Sequence, residues 1–246
     1  IQSAINYATE DDTLIVHNGT YSENIDLLGK ALIIGSEYFT SGDPAHIAST
    51  IIDGQLNGST ITISDISGSE IKLVGFTIQN GSASDGGAIY SSNSNPVFEN
   101  LIIKNSTASN SGGGIYLHNN SSAVLNKLTI INNSAQNGGG IYLDSSNPTI
   151  TNIVLSDNTA DSSGGAIAMY SDSNPGIYNA VIYDNYAGLF GGSMQISNSN
   201  PTINYSTIIA NHGEYHGGVL YLTNESEVVV TNSILYDNIP EQFFIN

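Results

Sequence analysis

Two aspartates at equivalent places in neighbouring repeats are the first residues of this sequence that could do chemistry. Asp157 in "SDN" and Asp184 in "YDN" each precede an asparagine. If one repeat stacks on the next, their carboxylates lie about 5 Å apart, a spacing that suits a retaining glycosidase. Aspartate is also an ordinary solvated turn residue, so the simpler interpretation is that both mark corners of the chain. Asp144, on the strand after a glycine pair, is a third candidate for a catalytic carboxylate.

Possible metal ligands occur in the segment "HGEYH". His212, Glu214 and His216 are spaced two residues apart and could present three donors at one turn. On a loop that spacing fixes no geometry, and a polar turn accounts for the same residues. With 22 acidic residues, weak Ca²⁺ binding is a further expectation, although the Asp-containing nonapeptide series of calcium-binding β-helices is missing. No other cofactor is indicated.

Tyrosines recur at a regular spacing and form a candidate binding surface. Sugar rings can lie on stacked aromatic side chains while their hydroxyls bond to polar neighbours. The alternative is that the tyrosines only stabilise a sheet, since Tyr favours exposed strand positions. His118, Asp144 and Tyr170 could also act as a base–acid set. The predicted ligand-binding residues are Tyr90, Tyr116, Tyr142, His118, Asp144, Tyr170 and Tyr221.

The charge of the chain restricts its partners. Its 246 residues include 22 acidic side chains against four lysines and no arginine, a formal net charge of −18. Nucleic acid is therefore excluded as a partner, because its binding requires clustered cations. No segment approaches the roughly 20 apolar residues that a membrane-spanning helix needs. The abundance of Gly, Asn, Ser and Thr with few Lys is typical of exported bacterial surface proteins, so we expect an extracellular or cell-surface location.

The elements that must position these residues follow from an internal repeat. Glycine pairs at 86–87, 112–113, 138–139, 164–165, 191–192 and 217–218 are separated by 26, 26, 26, 27 and 26 residues. A unit of this length is typical of a solenoid. Within it apolar residues alternate with polar ones, as in "GGGIYLD", and Gly, Asn and Pro separate three short strands. The sequence therefore predicts an all-β parallel β-helix in which each unit forms one coil.

Stacked coils place like residues above one another. The predicted inward columns are Ile89, Ile115, Ile141, Ile167, Met194 and Leu220, and then Phe98, Val124, Ile150, Ile177, Ile203 and Val230. The predicted outward columns are Tyr90, Tyr116, Tyr142, Ala168, Gln195 and Tyr221, and then Ser92, His118, Asp144, Tyr170, Ser197 and Thr223. Corner asparagines should pass side-chain hydrogen bonds from coil to coil. Six residues before the glycine pairs these are Asn80, Asn132, Asn158, Asn185 and Asn211.

The two ends differ from the regular coils. We expect one domain over residues 1–246 with about eight coils, in which 1–85 form a cap and irregular coils and 86–246 the regular coils. Ile1, Ala4, Ile5 and Ala8 share one helical face, which predicts a short N-terminal capping helix. The apolar last segment "SILYDNIPEQFFIN" has no such cap. We therefore expect the natural chain to continue, or another subunit to cover this end.

The stretches "DDTLIVHNGTYSENI", "LIIGSE", "TIIDG" and "GFTIQNGSA" resemble the opening of right-handed parallel β-helix proteins of the pectate-lyase-like superfamily. The later units, for example "LSDNTADSSGGAI", are similar to the Phe-x-x-Asn and Gly-Gly-Ala-Ile repeats of chlamydial polymorphic membrane proteins, which are surface adhesins. Leu or Ile stands here where those repeats have Phe, so the similarity is to the repeat type. The resemblance implies right-handedness, in agreement with the usual chirality of parallel crossovers.

The resemblance leaves function open, because this fold carries enzymes, adhesins and stalks. Superfamily lyases use Ca²⁺ with Arg or Lys, and pectin methylesterases also rely on an Arg, whereas this chain has no arginine and only dispersed lysines. We therefore predict a non-catalytic adhesin or stalk-like module whose tyrosine-lined sheet contacts a polysaccharide, or a glycan or protein of a cell surface. The alternative is a polysaccharide-active enzyme, either a glycoside hydrolase or an atypical polysaccharide lyase.

Overall fold

A computed structural model describes residues 1–245 as a parallel β-helix, and this confirms the fold predicted from the repeat. Every strand is short because Gly, Asn or Asp turns interrupt the chain after each few residues. Strands of successive coils pair in parallel, as Ile115 does with Ile141 and Ile141 with Ile167. Three sheets therefore run along the axis, and the coils from residue 82 to residue 213 contribute to all of them.

The front sheet carries the tyrosine columns and has nine strands, so eight steps separate its first coil from its last. Its strands are Ile25–Asp26, Ile61–Ser64, Ile89–Ser92, Ile115–His118, Ile141–Asp144, Ile167–Tyr170, Met194–Ser197, Leu220–Thr223 and Phe243–Ile245. The six-stranded side sheet precedes it in each coil and consists of Ser82–Asp85, Thr107–Ser111, Ser134–Asn137, Thr159–Ser163, Tyr186–Ala187 and His212–Gly213.

The double sheet closes the coil with two rows of strands. Its 16 strands are Thr13–Val16, Gly19–Ser22, Ile33–Ser36, Thr50–Asp53, Lys72–Val74, Thr77–Gln79, Val97–Lys104, Val124–Ile131, Thr149–Thr151, Val154–Ser156, Gly176–Tyr178, Val181–Tyr183, Thr202–Asn204, Thr207–Ile209, Val229–Thr231 and Ile234–Tyr236. Where Val97–Lys104 and Val124–Ile131 run through the corner unbroken, the two rows join into one sheet.

Three short helices lie in the first part of the chain. Helix α1, Gln2–Tyr7, confirms the predicted capping helix: its Ile5 is fully buried, and Lys30 Nζ donates to the carbonyls of Ile5 and Ala8 at 2.8 and 2.9 Å. Helices α2, Tyr38–Ser41, and α3, Ala45–Ser49, were not predicted from the sequence. None of the helices formed by residues 1–245 has the length and apolar character needed to span a bilayer.

The inward columns form the core and confirm the predicted register with one exception. Ile89, Ile115, Ile141 and the three residues stacked beyond them are fully buried. In the second column the place given to Val124 belongs to Leu125, which pairs with Phe98 and Ile150 and is fully buried, whereas Val124 points outward and is 39% exposed. The reason is a turn of two left-handed residues, Asn119 and Asn120, where the next coil has only Ser145.

A ladder of buried asparagines runs along the corner between the double sheet and the side sheet. The ladder was predicted from the sequence, but its first members are not the asparagines that were predicted. Asn158 Nδ2 donates to Asn185 Oδ1 at 3.0 Å, and its Oδ1 accepts from the backbone N–H of Asn133 at 3.1 Å. The buried rungs are Asn133, Asn158, Asn185, Asn211 and Asn238. The predicted members Asn80 and Asn132 instead occupy the preceding corner position, with φ of 55°.

A second corner column contains a residue that does not suit its backbone. The backbone in this column is left-handed at Asn100, Asn152, Asn179 and Asn232. Tyr205 occupies the same column and has the same conformation, with φ of 52°, and its side chain is 65% exposed. Since Asn tolerates this region and Tyr does not, Tyr205→Asn should raise the free energy of unfolding by about 1 kcal/mol. The thermal midpoint should then rise by roughly 2–4 °C.

Circular dichroism melting measures this effect. Tyr178→Asn is the matched control, because Tyr178 is also exposed but lies on a regular strand of the double sheet. That control should lower the midpoint, since Asn is unfavourable in strands. If Tyr205→Asn also lowered it, the left-handed backbone at Tyr205 would not be a source of strain that limits stability.

Candidate functional site

Four tyrosines on the outer face of the front sheet overlap along the axis, and we call them the tyrosine strip. Register places Tyr90, Tyr116 and Tyr142 directly above one another, with ring centroids 5.5 and 5.4 Å apart. In the next coil Ala168 takes the column position, and the ring of Tyr170, two residues further on, stacks on Tyr142 at 5.3 Å. The strip is therefore continuous over four coils. The sequence columns predicted the stack of Tyr90, Tyr116 and Tyr142 and left a gap beside Tyr170, which the structure closes.

The rings of the tyrosine strip overlap obliquely. Neighbouring rings are inclined by 17–32° at centroid distances of 5.3–5.5 Å. Carbon atoms in contact are about 3.5–4 Å apart, so these centroid distances require a lateral offset of about 4 Å between rings. Each ring thus covers part of the next, and each tyrosine of the strip remains partly exposed to solvent. The strip is a ridged aromatic surface rather than a flat one.

A polar pair lies beside the strip, at the residues that the second outward column predicted. His118 Nδ1 is 3.1 Å from Asp144 Oδ2, and the imidazole of His118 stacks on Tyr116 at 5.6 Å. Asp144 is paired in the front sheet with both His118 and Tyr170. The structure therefore brings Tyr90, Tyr116, Tyr142, Tyr170, His118 and Asp144 together, and a ligand along the strip would meet one carboxylate and one imidazole.

The phenols of the strip are hydrogen-bonding groups rather than bases. Burial, and after it the carboxylates of Asp144 and Asp85, raise the pKa of Tyr116 well above the ordinary phenol value. Burial, followed by Tyr170 and Asp144, raises the pKa of Tyr142 in the same way. Burial also raises the pKa of Tyr170. At neutral pH these hydroxyls are protonated, which removes a tyrosinate from any base–acid set built with His118 and Asp144.

Tyr221 keeps its predicted column position but belongs to a different group of rings. It stacks on Phe190 at 4.4 Å and on Phe244 at 5.4 Å, and only 9% of it is exposed. His216 stacks on Phe244 at 4.0 Å beside it. These rings line an open cavity of about 400 Å³ that we call the aromatic cleft. It is formed by Leu189, Phe190, Tyr215, His216, Tyr221 and Phe244.

The three possible metal ligands are divided between two places. His216 Nδ1 is 3.0 Å from Glu241 Oε1, on the aromatic cleft. His212 contacts Tyr186 and lies 3.8 Å from Glu214 Oε2, too far for a hydrogen bond. Across residues 1–245 no three His, Cys, Asp or Glu side chains gather in a way that could hold a metal ion. His212 lies on the side-sheet strand His212–Gly213, and metal binding by His212, Glu214 and His216 stays a prediction from the sequence.

Asp157 and Asp184 occupy corner positions. Both are exposed and left-handed, with φ of 54° and 53°, directly after the paired residues Ser156 and Tyr183. They lie at the corner between the double sheet and the side sheet, whereas Asp144 lies on the front sheet. A joint catalytic role for Asp157 and Asp184 remains a prediction from their equivalent spacing.

Phe190 was missed from the sequence, and His216 in the next coil was considered only as a possible metal ligand; both lie just before a glycine pair. Along the chain this position holds Asp85, Ser111, Asn137, Ser163, Phe190 and His216, and the structure stacks these residues in one column beside the front sheet. When the repeats are aligned on their glycine pairs, these six residues fall in one column. The column changes from polar to aromatic residues at Phe190, and this change could have identified the aromatic cleft from the sequence.

Comparison with known proteins agrees with the geometry. The family model described as "Right handed beta helix region" matches residues 41–163 and 99–245. No protein with a curated description matches significantly. Among solved structures, a pectin methylesterase from carrot superposes with a TM-score of 0.54 at 12% identity, covering 100% of this chain and 83% of that one.

A pectin methylesterase from Yersinia enterocolitica gives a TM-score of 0.45 at 12% identity and covers 99% of this chain and 93% of that one. At 12% identity, the likeness to the carrot enzyme concerns the fold alone. The family match shows membership of a family, because its two overlapping segments together span most of the sequence. The chain belongs to the right-handed β-helix family.

Proposed function

We propose that this protein is a non-catalytic surface module that binds a neutral glycan along the tyrosine strip. The observation that supports this most is the continuity of the strip over four coils, with the His118–Asp144 pair beside it. A polysaccharide is a linear ligand, and successive sugar rings could contact successive tyrosines while their hydroxyls bond to phenols and to Asp144. An exported, cell-surface location is part of the proposal and is supported by composition.

The charges around the strip favour a neutral glycan over an acidic one. Asp144 and Asp85 are close enough to raise the pKa of Tyr116, so the local potential is negative. None of the front-sheet strands contains a lysine, and the chain has no arginine. Lys72 is paired with Glu99 at 2.9 Å on the double sheet, and Lys30 is bound to carbonyls of the N-terminal cap. A polyuronate would therefore meet repulsion without a compensating cation.

Binding to the strip is tested with single substitutions. Tyr116→Ala and Tyr142→Ala should each weaken binding to the best neutral polysaccharide of a panel by about tenfold, which corresponds to about 1.4 kcal/mol. Isothermal titration or affinity electrophoresis measures this, with polygalacturonate as the acidic comparison. Tyr178→Ala is the matched control, since Tyr178 is an exposed tyrosine of the double sheet.

Two results would contradict the proposal. Polygalacturonate binding better than every neutral polysaccharide would refute the charge argument. If the Tyr116 and Tyr142 variants lost thermal stability but bound the glycan normally once folded, the strip would serve architecture alone. Melting curves recorded on the same samples separate these two effects.

A polysaccharide-active enzyme is the second candidate, supported by the fold shared with a pectin methylesterase and by the His118–Asp144 pair. Incubation with a polysaccharide panel, following reducing ends, unsaturated uronate absorbance and methanol release, tests this directly. A binding module produces none of these. Turnover that disappears in Asp144→Ala or Asp157→Ala while folding persists would establish the enzyme instead.

A further inference from the structure

The aromatic cleft interrupts the repeat at one end of the front sheet. In four successive coils the column before the glycine pair is polar, and in the next two it holds Phe190 and His216. The neighbouring front-sheet column places Tyr221 and Phe244 against them. A departure from an otherwise consistent pattern is the expected sign of a functional position. The cleft is separate from the tyrosine strip in its residues and in its shape.

The rings of the cleft form two walls that meet at an angle. Phe190, Tyr221 and Phe244 are nearly parallel, with interplanar angles of 12° and 8° between successive rings. Tyr215 is tilted by 50° against Phe190 at 6.3 Å and is 60% exposed, so it forms a second wall open to solvent. The open cavity has a volume of about 400 Å³, which falls within the range of small-molecule sites.

Two carboxylates lie next to the cleft, and the residues that line it include neither Lys nor Arg. Glu241 Oε1 accepts hydrogen bonds from His216 Nδ1 at 3.0 Å and from the backbone N–H of Gly217 at 3.1 Å, which fixes the carboxylate at the rim. Glu214 Oε2 accepts from the Tyr186 hydroxyl at 3.1 Å on the same side of the coil. From residue 128 onward the sequence contains ten acidic side chains and neither Lys nor Arg.

We propose that the aromatic cleft binds a quaternary ammonium group such as that of choline. The faces of aromatic rings attract a cation held within about 6 Å of the centroid, and carboxylates at the rim add to this attraction. The walls are mainly aromatic and aliphatic carbon, and the polar groups among their side chains are two phenols and one imidazole. A primary ammonium would lose hydrogen bonds to water there, whereas a trimethylated one has none to lose and also buries its methyl groups.

The first experiment separates charge from apolar contact. Isothermal titration with choline chloride at low ionic strength should show saturable binding, and 3,3-dimethylbutan-1-ol, its neutral isostere, should bind at least tenfold more weakly. Phosphocholine distinguishes the source of the group: affinity equal to or above that of choline indicates an esterified headgroup, and weaker affinity indicates the free cation. Equal binding of choline and the neutral isostere would overturn the proposal.

Substitutions locate the site. Phe190→Leu should weaken choline binding about tenfold, and Tyr215→Leu, which removes an exposed ring and leaves the core intact, about threefold to fivefold. Tyr178→Leu on the double sheet should leave the affinity unchanged. Unchanged affinity in both Phe190→Leu and Tyr215→Leu would place choline elsewhere and refute the proposal. The assay contains no glycan, so its result is independent of binding to the tyrosine strip.

Discussion

Asn185→Ala is expected to lower the free energy of unfolding by about 3–4 kcal/mol. Asn185 is 1% exposed, and its Nδ2 donates to the carbonyls of Leu155 and Tyr183 and to Asn211 Oδ1 at 2.9–3.0 Å. Its Oδ1 accepts from the backbone N–H of Asn158 at 3.0 Å. Alanine leaves these groups buried without partners, and each unsatisfied group costs about 1–3 kcal/mol.

Urea denaturation followed by circular dichroism measures this loss, and the thermal midpoint should fall by roughly 10 °C. Asn200→Ala is the matched control. Asn200 also bonds to a neighbouring coil, accepting from the backbone N–H of Glu227 at 2.7 Å, but it is exposed and water can replace the bond. Its loss should cost at most about 1 kcal/mol. Equal destabilisation by the two substitutions would show that burial of the ladder is not what makes it stabilising.

The register errors at Val124 and Asn132 have one physical origin. In the coil that starts at Gly112 the turn contains two left-handed residues, Asn119 and Asn120, and the side-sheet strand Ser134–Asn137 is one residue shorter than Thr107–Ser111. The turn has one residue more than in the next coil, and the side-sheet strand has one residue fewer, so the glycine spacing stays at 26 residues. The residues between the turn and that strand are displaced by one position. Because strands alternate with period two, this displacement moved Val124 outward and replaced Asn132 by Asn133 in the ladder.

The candidate site was predictable where it depended on the same repeat. Tyr90, Tyr116 and Tyr142 follow a glycine pair at constant distance, so their stacking follows from register alone. The aromatic cleft was not predictable in this way, because Phe190, Tyr221 and Phe244 come from two columns and three coils, and their contact depends on ring orientation. Helices α2 and α3 were also missed, since they are an insertion within one coil, at the corner between Ile33–Ser36 and Thr50–Asp53, and follow no repeat.

Gly139→Ala is expected to be at least as damaging as the loss of an asparagine rung, at about 3–5 kcal/mol. A Cβ at Gly139 would lie 2.5 Å from the carbonyl oxygen of Thr159 and 2.6 Å from that of Gly165. Both atoms belong to backbone held by hydrogen bonds between coils, so neither can move without disturbing a ladder. Inserted methyl groups cost about 1–3 kcal/mol where side chains adapt, and more where they cannot.

The adjacent glycine provides the control, because the same substitution at Gly140 meets a different environment. The equivalent residues in other coils are Ala88, Gly114, Ala166, Ser193 and Val219, so the corner accepts a Cβ at this place, whereas all six coils have glycine at the place of Gly139. A Cβ at Gly140 would lie 2.7 Å from the carbonyl oxygen of Ala166 and 2.8 Å from the Leu155 side chain, so it meets one backbone atom where Gly139 meets two. Gly140→Ala should therefore cost less than Gly139→Ala, about 1–3 kcal/mol, as the corner shifts in the way that the coils with Ala, Ser or Val at this place already have. If the two variants unfolded at the same urea concentration, close approach of neighbouring coils would not be the reason for the glycine pair. Left-handed backbone at its first member, Gly138, with φ of 63°, would then remain as the only structural requirement at this corner.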